Sequence, residues 1–330
     1  MNFKEKEMVT NKRVLTGIQP SGTLHLGNYF GTMRQSVEAQ SDNECFYFIA
    51  NYHAMTSCPK PEDLRARTHQ VAVDFLACGI DPAKTVFWRQ SDVPQVQELA
   101  WFLSCVCPMG LLERCHSYKD KLAHGLEATH GLFAYPALMA ADILLYHADF
   151  VPVGKDQKQH LEVTRDLALA FNRRFGDILT VPDAIIQPDV AVIPGLDGQK
   201  MSKSYNNTIE LFGEGKPIRS KFMKIKTDST PVEDPKNPDT CNVFLLYKLM
   251  ATPEETEALR QKYLTGGMGY GEAKQMLFEK YTEYFAAARE RRAELMAHPD
   301  TVEDILQEGA RKARAIAEKS MEQIRAAVGL

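Results

Sequence analysis

The chain lacks a Cys-x-x-Cys pair, an apolar run of membrane-spanning length, a sustained internal repeat and any low-complexity tract. Its seven cysteines are an odd number, and Cys105-x-Cys107 is too close for a zinc knuckle. Cys45, Cys58 and Cys78 are scattered in apolar contexts and read as buried reduced thiols, so neither a disulfide framework nor a protein-held metal is expected. The opening MNFKEKEMVTNKR has no apolar core of a secretory signal, which makes the cytoplasm the expected location, with no membrane contact. A net charge of only −4 excludes a surface that draws nucleic acid as a whole, and any such binding must rest on local basic patches. What remains is ordinary globular composition, 44% hydrophobic and 25% charged, over 330 residues, a length suited to about two domains.

One stretch organises the rest: Thr16 to Gly31, TGIQPSGTLHLGNYFG. Val14-Leu15 before it and Gly17, Gly22, Gly27 and Gly31 within it predict a strand end, a tight Pro20-Ser21-Gly22 turn and a helix beginning near His25. A strand, a glycine-bearing turn and a helix N-terminus leave amide N–H groups for an anion, and the helix dipole favours phosphate there. His25 and Asn28, three residues apart, would add two neutral donors on one face. On these residues alone a plain βα turn with a solvent-facing histidine reads equally well. Further along, Asn28 to Ala39 and Pro61 to Cys78 read as helices, and Glu44 to Ala50 and Thr85 to Arg89 as buried strands. Gln95 to Cys107 is a further helix. Ligands in open α/β sheets lie outside the carboxyl ends of the strands, so His53, just after the second strand, would face the same crevice as His25.

The helix predicted over Gly131 to His147, GLFAYPALMAADILLYH, is apolar throughout except at Asp142, which shares a face with Tyr135 and Met139. A buried carboxylate costs several kcal/mol unless a donor meets it. Either an internal salt bridge or cap supplies that donor, or a ligand does; an indole N–H, donor only, is chemically suited to a carboxylate.

HLGN after PSGTL resembles the HIGH signature of the class I aminoacyl-tRNA synthetases, and Lys200-Met201-Ser202-Lys203-Ser204 matches their second signature, KMSKS, letter for letter. A chance identity of that length in such a chain is roughly a one-in-ten-thousand event. YPALMAADIL and VPVGKDQKQH are similar to the tryptophanyl-tRNA synthetases more than to the tyrosyl enzymes. The resemblance implies an ATP site lined by Gln19, Pro20, Ser21, Gly27, Asn28, Gly154, Lys155, Asp156, Ile193, Lys200, Met201, Ser202, Lys203 and Ser204. It implies catalytic roles for His25, Asn28, Lys121, Lys200 and Lys203, and a tryptophan pocket of Asp142, Tyr135, Met139, Gln157 and His53. Asn51 and Lys155 stand where the family usually has acids, and residues 115–118 depart from its usual pattern.

Ala191 to Pro194 reads as a short final strand, and Gly195-Leu-Asp-Gly198 as a mobile link into the KMSKS loop. Beyond Asn206 strand signals end, helix patterns follow, and a basic cluster occupies Leu211 to Lys226. The expected fold class is α/β, a Rossmann-like doubly wound parallel sheet followed by an α-helical bundle. By the resemblance, residues 1–207 form the nucleotide-binding domain, 208–312 a helical anticodon-binding domain, and 313–330 a helix packing back on the first. The implied activity is activation of L-tryptophan by ATP, a substrate with Mg2+ on its phosphates, and transfer to tRNA(Trp) by a homodimer. A tyrosine-specific ligase is the nearest alternative, and a non-charging paralogue that binds RNA or tryptophan is another.

Overall fold

The structure, a computed structural model, describes residues 11–20, 22–115, 118, 125, 127–152, 158–182 and 193–330. Strands β1 (Arg13–Ile18), β2 (Glu44–Ile49) and β3 (Thr85–Arg89) form a parallel sheet in that order, with Leu15 opposite Phe46 and Phe46 opposite Val86. On the free side of β1 the chain returns at Phe150, which bridges Val14 in parallel and accepts the Leu15 N–H at 3.0 Å. Strand order therefore reverses at β1. Such a reversal opens the crevice in which doubly wound sheets hold ligands.

A parallel sheet buries both faces, and the strands are apolar on both. In β2, Cys45, Tyr47 and Ile49 join one apolar layer while Phe46 and Phe48 join the other. Leu26–Asn28 (α1) passes through a π-helical stretch, Tyr29–Met33, into Arg34–Ala39 (α2). Asn51–Ala54 (α3) follows β2, and Pro61–Ala77 (α4) adds Val71 and Phe75 to the first layer. Gln95–Val106 (α5), Met109–Glu113 (α6), His130–Leu144 (α7) and Lys158–Phe175 (α8) follow. Of these, α5, α7 and α8 pack together over the second layer with Trp88 at its centre.

From Gly215 onward the described chain is helical: Gly215–Met223 (α9), Asn242–Lys248 (α10), Pro253–Thr265 (α11), Tyr270–Tyr284 (α12), Ala286–Ala297 (α13) and Pro299–Val328 (α14). Helix α13 packs on α4, and α14 lies along β3 and α5. One expectation changes. The single helix read over Tyr270 to His298 breaks at Phe285, whose ring is buried against Tyr29, Phe30, Tyr281 and Tyr284. The last helix, α14, runs unbroken from Pro299 to Val328. Of the short strand read at Ala191 to Pro194, residues 191–192 lie outside the described residues, and Pro194 makes an isolated antiparallel bridge to Lys200.

Candidate active site

Glycine lets the two signature segments meet. At Gly22, where φ is +104°, the Lys203 Nζ stands 3.7 Å from the point at which a side chain would begin. At Gly27 a Cβ would stand 2.9 Å from the His25 ring and 3.2 Å from Met201 Cβ, so any side chain would force apart the contact between the segments. The Gly27 N–H donates to Met201 Sδ at 3.3 Å. The stretch just after KMSKS is also stitched to this turn: the Leu26 N–H donates to the Ile209 carbonyl and the Leu211 N–H to the Leu24 carbonyl, both at 3.0 Å. His25, expected at the helix start, is the N-cap of α1 and buried. Asn28 Oδ1 accepts the His25 backbone N–H at 3.1 Å, which leaves its NH2 end as the group for a ligand.

Burial and the nearby Lys203 ammonium lower the His25 pKa to about 4, so the ring is neutral at pH 7. Its Nδ1 is buried and has no hydrogen-bond partner among the described residues. Partial burial and the Arg67 guanidinium likewise pull the Lys203 ammonium below its ordinary range. Both effects favour an incoming anion, whose charge would relieve them.

The second half of the site gathers at the carboxyl ends of β2 and β3. Asp142, on α7 and 3% exposed, accepts from Gln90 Nε2 at 2.8 and 2.9 Å and is paired with His53 Nε2 at 2.8 Å. Internal partners therefore meet this carboxylate, the first of the two alternatives open from the sequence. Its partners are an imidazole and a neutral amide, however, and burial still raises its pKa despite both. Among the described residues three of roughly four acceptor positions are used, which leaves one for a further N–H. Gln90 is oriented in turn, because its Oε1 accepts the Tyr52 N–H at 3.0 Å. Tyr135 lies edge-on to His53, with ring centroids 6.4 Å apart, and its hydroxyl meets His160 Nε2 at 2.6 Å. Met139 is half-buried one turn before Asp142.

Gln19 Nε2 reaches the His53 carbonyl at 3.5 Å and so joins the two halves. Pro20 is buried beside it, Ile193 accepts the Met201 N–H at 2.8 Å, and the Ser202 and Ser204 hydroxyls are 2.7 Å apart. Lys200 is exposed at its bridge to Pro194. Ser21, Lys121, Gly154, Lys155, Asp156 and Gln157 lie outside the described residues. Asn51, standing where the family has an acid, donates to Ser91 Oγ at 2.8 Å and accepts the Ser91 N–H at 3.0 Å, which ties the ends of β2 and β3 together. The link expected to be mobile, Gly195 to Gly198, is a hydrogen-bonded turn: the Gly195 N–H donates to Gln199 at 2.7 Å and the Gly198 N–H to Gly195 at 3.1 Å. Sequence reasoning missed Gln90, although the strand-end rule that singled out His53 applies to it equally.

The chain is similar to known proteins over nearly its whole length. Residues 8–286 match the family model for class I tRNA synthetases (W and Y). The tryptophan–tRNA ligase of Rhodopirellula baltica is 54% identical, over 96% of this chain and 99% of its own. That of Fusobacterium nucleatum is 52% identical, over 97% of this chain and 98% of its own. The crystal structure of Campylobacter jejuni tryptophanyl-tRNA synthetase, complexed with ADP and tryptophan, superposes with a TM-score of 0.93 at 52% identity, covering 96% of this chain and all of that one. With both signatures in contact at the sheet's switch point and identities above half, the chain belongs to the class I tRNA synthetases (W and Y) and, among them, to the tryptophan–tRNA ligases.

Proposed function

We propose that the chain activates L-tryptophan with ATP and transfers the tryptophanyl group to tRNA(Trp). The observation that carries this reading is the direct contact of the glycine turn with the KMSKS segment, Gly27 N–H on Met201 Sδ, in the crevice that Asp142 also lines through His53 and Gln19. The tryptophan carboxylate attacks the α-phosphorus in line; the new carboxyl–phosphate bond forms as the bond to the β-phosphate breaks, and pyrophosphate departs. The 3′-terminal adenosine hydroxyl of the tRNA then displaces AMP. Positioning and charge stabilisation supply the rate.

Neutral His25 and the Asn28 amide hydrogen-bond the phosphates beside the turn of Gln19, Pro20, Ser21 and Gly27. Lys200 and Lys203 neutralise the leaving pyrophosphate, and Lys121 adds a third positive charge. Gly154, Lys155, Asp156 and Ile193 hold the nucleoside end. Asp142 takes the indole N–H between Tyr135 and Met139, and Gln157 takes the ammonium. His25, Asn28 and Lys203 offer nitrogen donors, which suit phosphate oxygens, so Mg2+ would come with the nucleotide and would supply charge neutralisation there. The helical region over 208–312 carries the anticodon end of the tRNA. Two copies pair, with Trp101 and Met109, 67% and 64% accessible on α5 and α6, as exposed apolar side chains for the contact. The pair works in the cytoplasm.

ATP–pyrophosphate exchange tests the reading. Exchange is expected with tryptophan and not with tyrosine or phenylalanine, and Lys203→Ala should slow it while tryptophan binding stays nearly intact. Exchange driven by tyrosine, or a Lys203→Ala variant at wild-type rate, would refute it.

A further inference from the structure

We infer that Asn207 is a positioning residue for the activation step: its carboxamide sets the backbone of the KMSKS segment so that Lys200 and Lys203 meet the phosphates. The inference rests on the function proposed above. Asn207 is 2% exposed and just past the signature. Its Oδ1 accepts the Ser202 N–H at 2.8 Å, while its Nδ2 donates to the Lys200 carbonyl at 3.1 Å and to Asp197 Oδ1 at 2.8 Å. One side chain thus grips the backbone on both sides of Met201, the residue that meets Gly27. The Asn207 carbonyl also accepts the Leu196 N–H at 2.9 Å, and Asp197 Oδ1 is fixed by the Gln199 N–H at 3.0 Å.

The pattern needs an amide of this length. Two donors and one acceptor act together, which neither a carboxylate nor a hydroxyl provides. The surroundings are cut to fit it: a Cβ at Gly195 would overlap the Asn207 carboxamide, so the turn before the signature has a glycine where the clamp lies. Two long lysine stems can each reach a phosphate from a range of backbone shapes. Fixing one shape removes that search, and a misplacement of about 1 Å is worth roughly a hundredfold in rate.

In tryptophan-dependent pyrophosphate exchange, Asn207→Ala should lower kcat by roughly tenfold to a hundredfold and leave the KM for tryptophan within about twofold of wild type. Because the effect runs through the loop, adding Asn207→Ala to Lys203→Ala should cost far less than adding it to the wild type. Asn207→Asp keeps the acceptor for Ser202 but sets a negative oxygen against Asp197, so it should also be slow. Asp197→Asn in the same chain should restore part of its rate. Wild-type kcat in Asn207→Ala, fully multiplicative losses in the double variant, or a matching rise in the KM for tryptophan overturns the inference. If Asn207→Ala fails to fold, the Asn207→Asp pair decides, and absence of rescue overturns it. A wild-type chain without tryptophan-dependent exchange would instead refute the proposed function, so the two failures are distinguishable.

Discussion

Gln90 fixes Asp142, the carboxylate proposed to meet the amino acid, and it does so as a neutral donor. An arginine in its place would hold Asp142 ionised but would fill the acceptor positions that a substrate N–H needs. The amide leaves one open. Gln90→Met, close in volume, removes a hydrogen bond to a charged group worth about 1.5–3 kcal/mol. The KM for tryptophan should rise by roughly tenfold to a hundredfold while the KM for ATP holds, and steady-state exchange kinetics with each substrate varied would check this. An equal rise in both would place Gln90 in general stability instead. The contact of the two signature segments was legible because the chemistry proposed for it is local: the backbone must come close, so glycines and lysines stand in short contiguous runs such as HLGN and KMSKS. The proposed tryptophan half is assembled from separate elements. Asp142 announced itself by interrupting an apolar helix, but its partner Gln90 is 52 residues away and carries no local signal. Asn207 follows its signature at once, yet a polar residue in a loop says nothing until its partners are seen.

At the scale of elements, periodic apolar patterning located the strands and most helices, because each buries a face set by its own sequence. The break at Phe285 follows from aromatic side chains of α12 and of the π-helical stretch after α1, so no local pattern reports it. Gly309 is a similar case. Glycine in a helix costs about 1 kcal/mol against alanine, yet it sits within α14. The helix backbone lies directly on the backbone of β3 there: a Cβ at Gly309 would overlap the Phe87 carbonyl oxygen and stand 2.6 Å from its carbon. Gly309→Ala should therefore destabilise the protein by about 2 kcal/mol or more despite its better helix propensity, because α14 must lift from the sheet edge. Thermal unfolding followed by circular dichroism would register a lower Tm. A higher Tm would mean that α14 does not approach β3 so closely.

For the whole molecule, an ion pair between buried Asp74 and half-buried Arg292 ties α4, beside the sheet, to α13 of the helical half. Asp74, 2% exposed, accepts from Arg292 Nε at 2.8 Å and from Gln70 at 2.7 Å, and Arg292 lies over the Phe212 ring at 5.2 Å. Phe212 follows Leu211, which is stitched to the glycine turn, so this contact reaches the segment that joins the two signatures. Burial raises the Asp74 pKa even with Arg292 beside it. Arg292→Met then leaves a buried carboxylate with its main counter-charge gone, a loss of about 3–5 kcal/mol, whereas Asp74→Leu with Arg292→Met removes both charges and should recover most of it. The pH dependence has a definite sign. A carboxyl whose folded pKa exceeds its unfolded value binds more protons when folded, so stability is greatest below the unfolded pKa and falls as pH rises through the folded one. Removing Arg292 pushes that folded pKa further up. Denaturant unfolding should find Arg292→Met closest to wild type in acid and weaker toward neutral pH, with the double variant free of this trend. A deficit in Arg292→Met independent of pH would show that the guanidinium acts through its packing on Phe212 and not through Asp74.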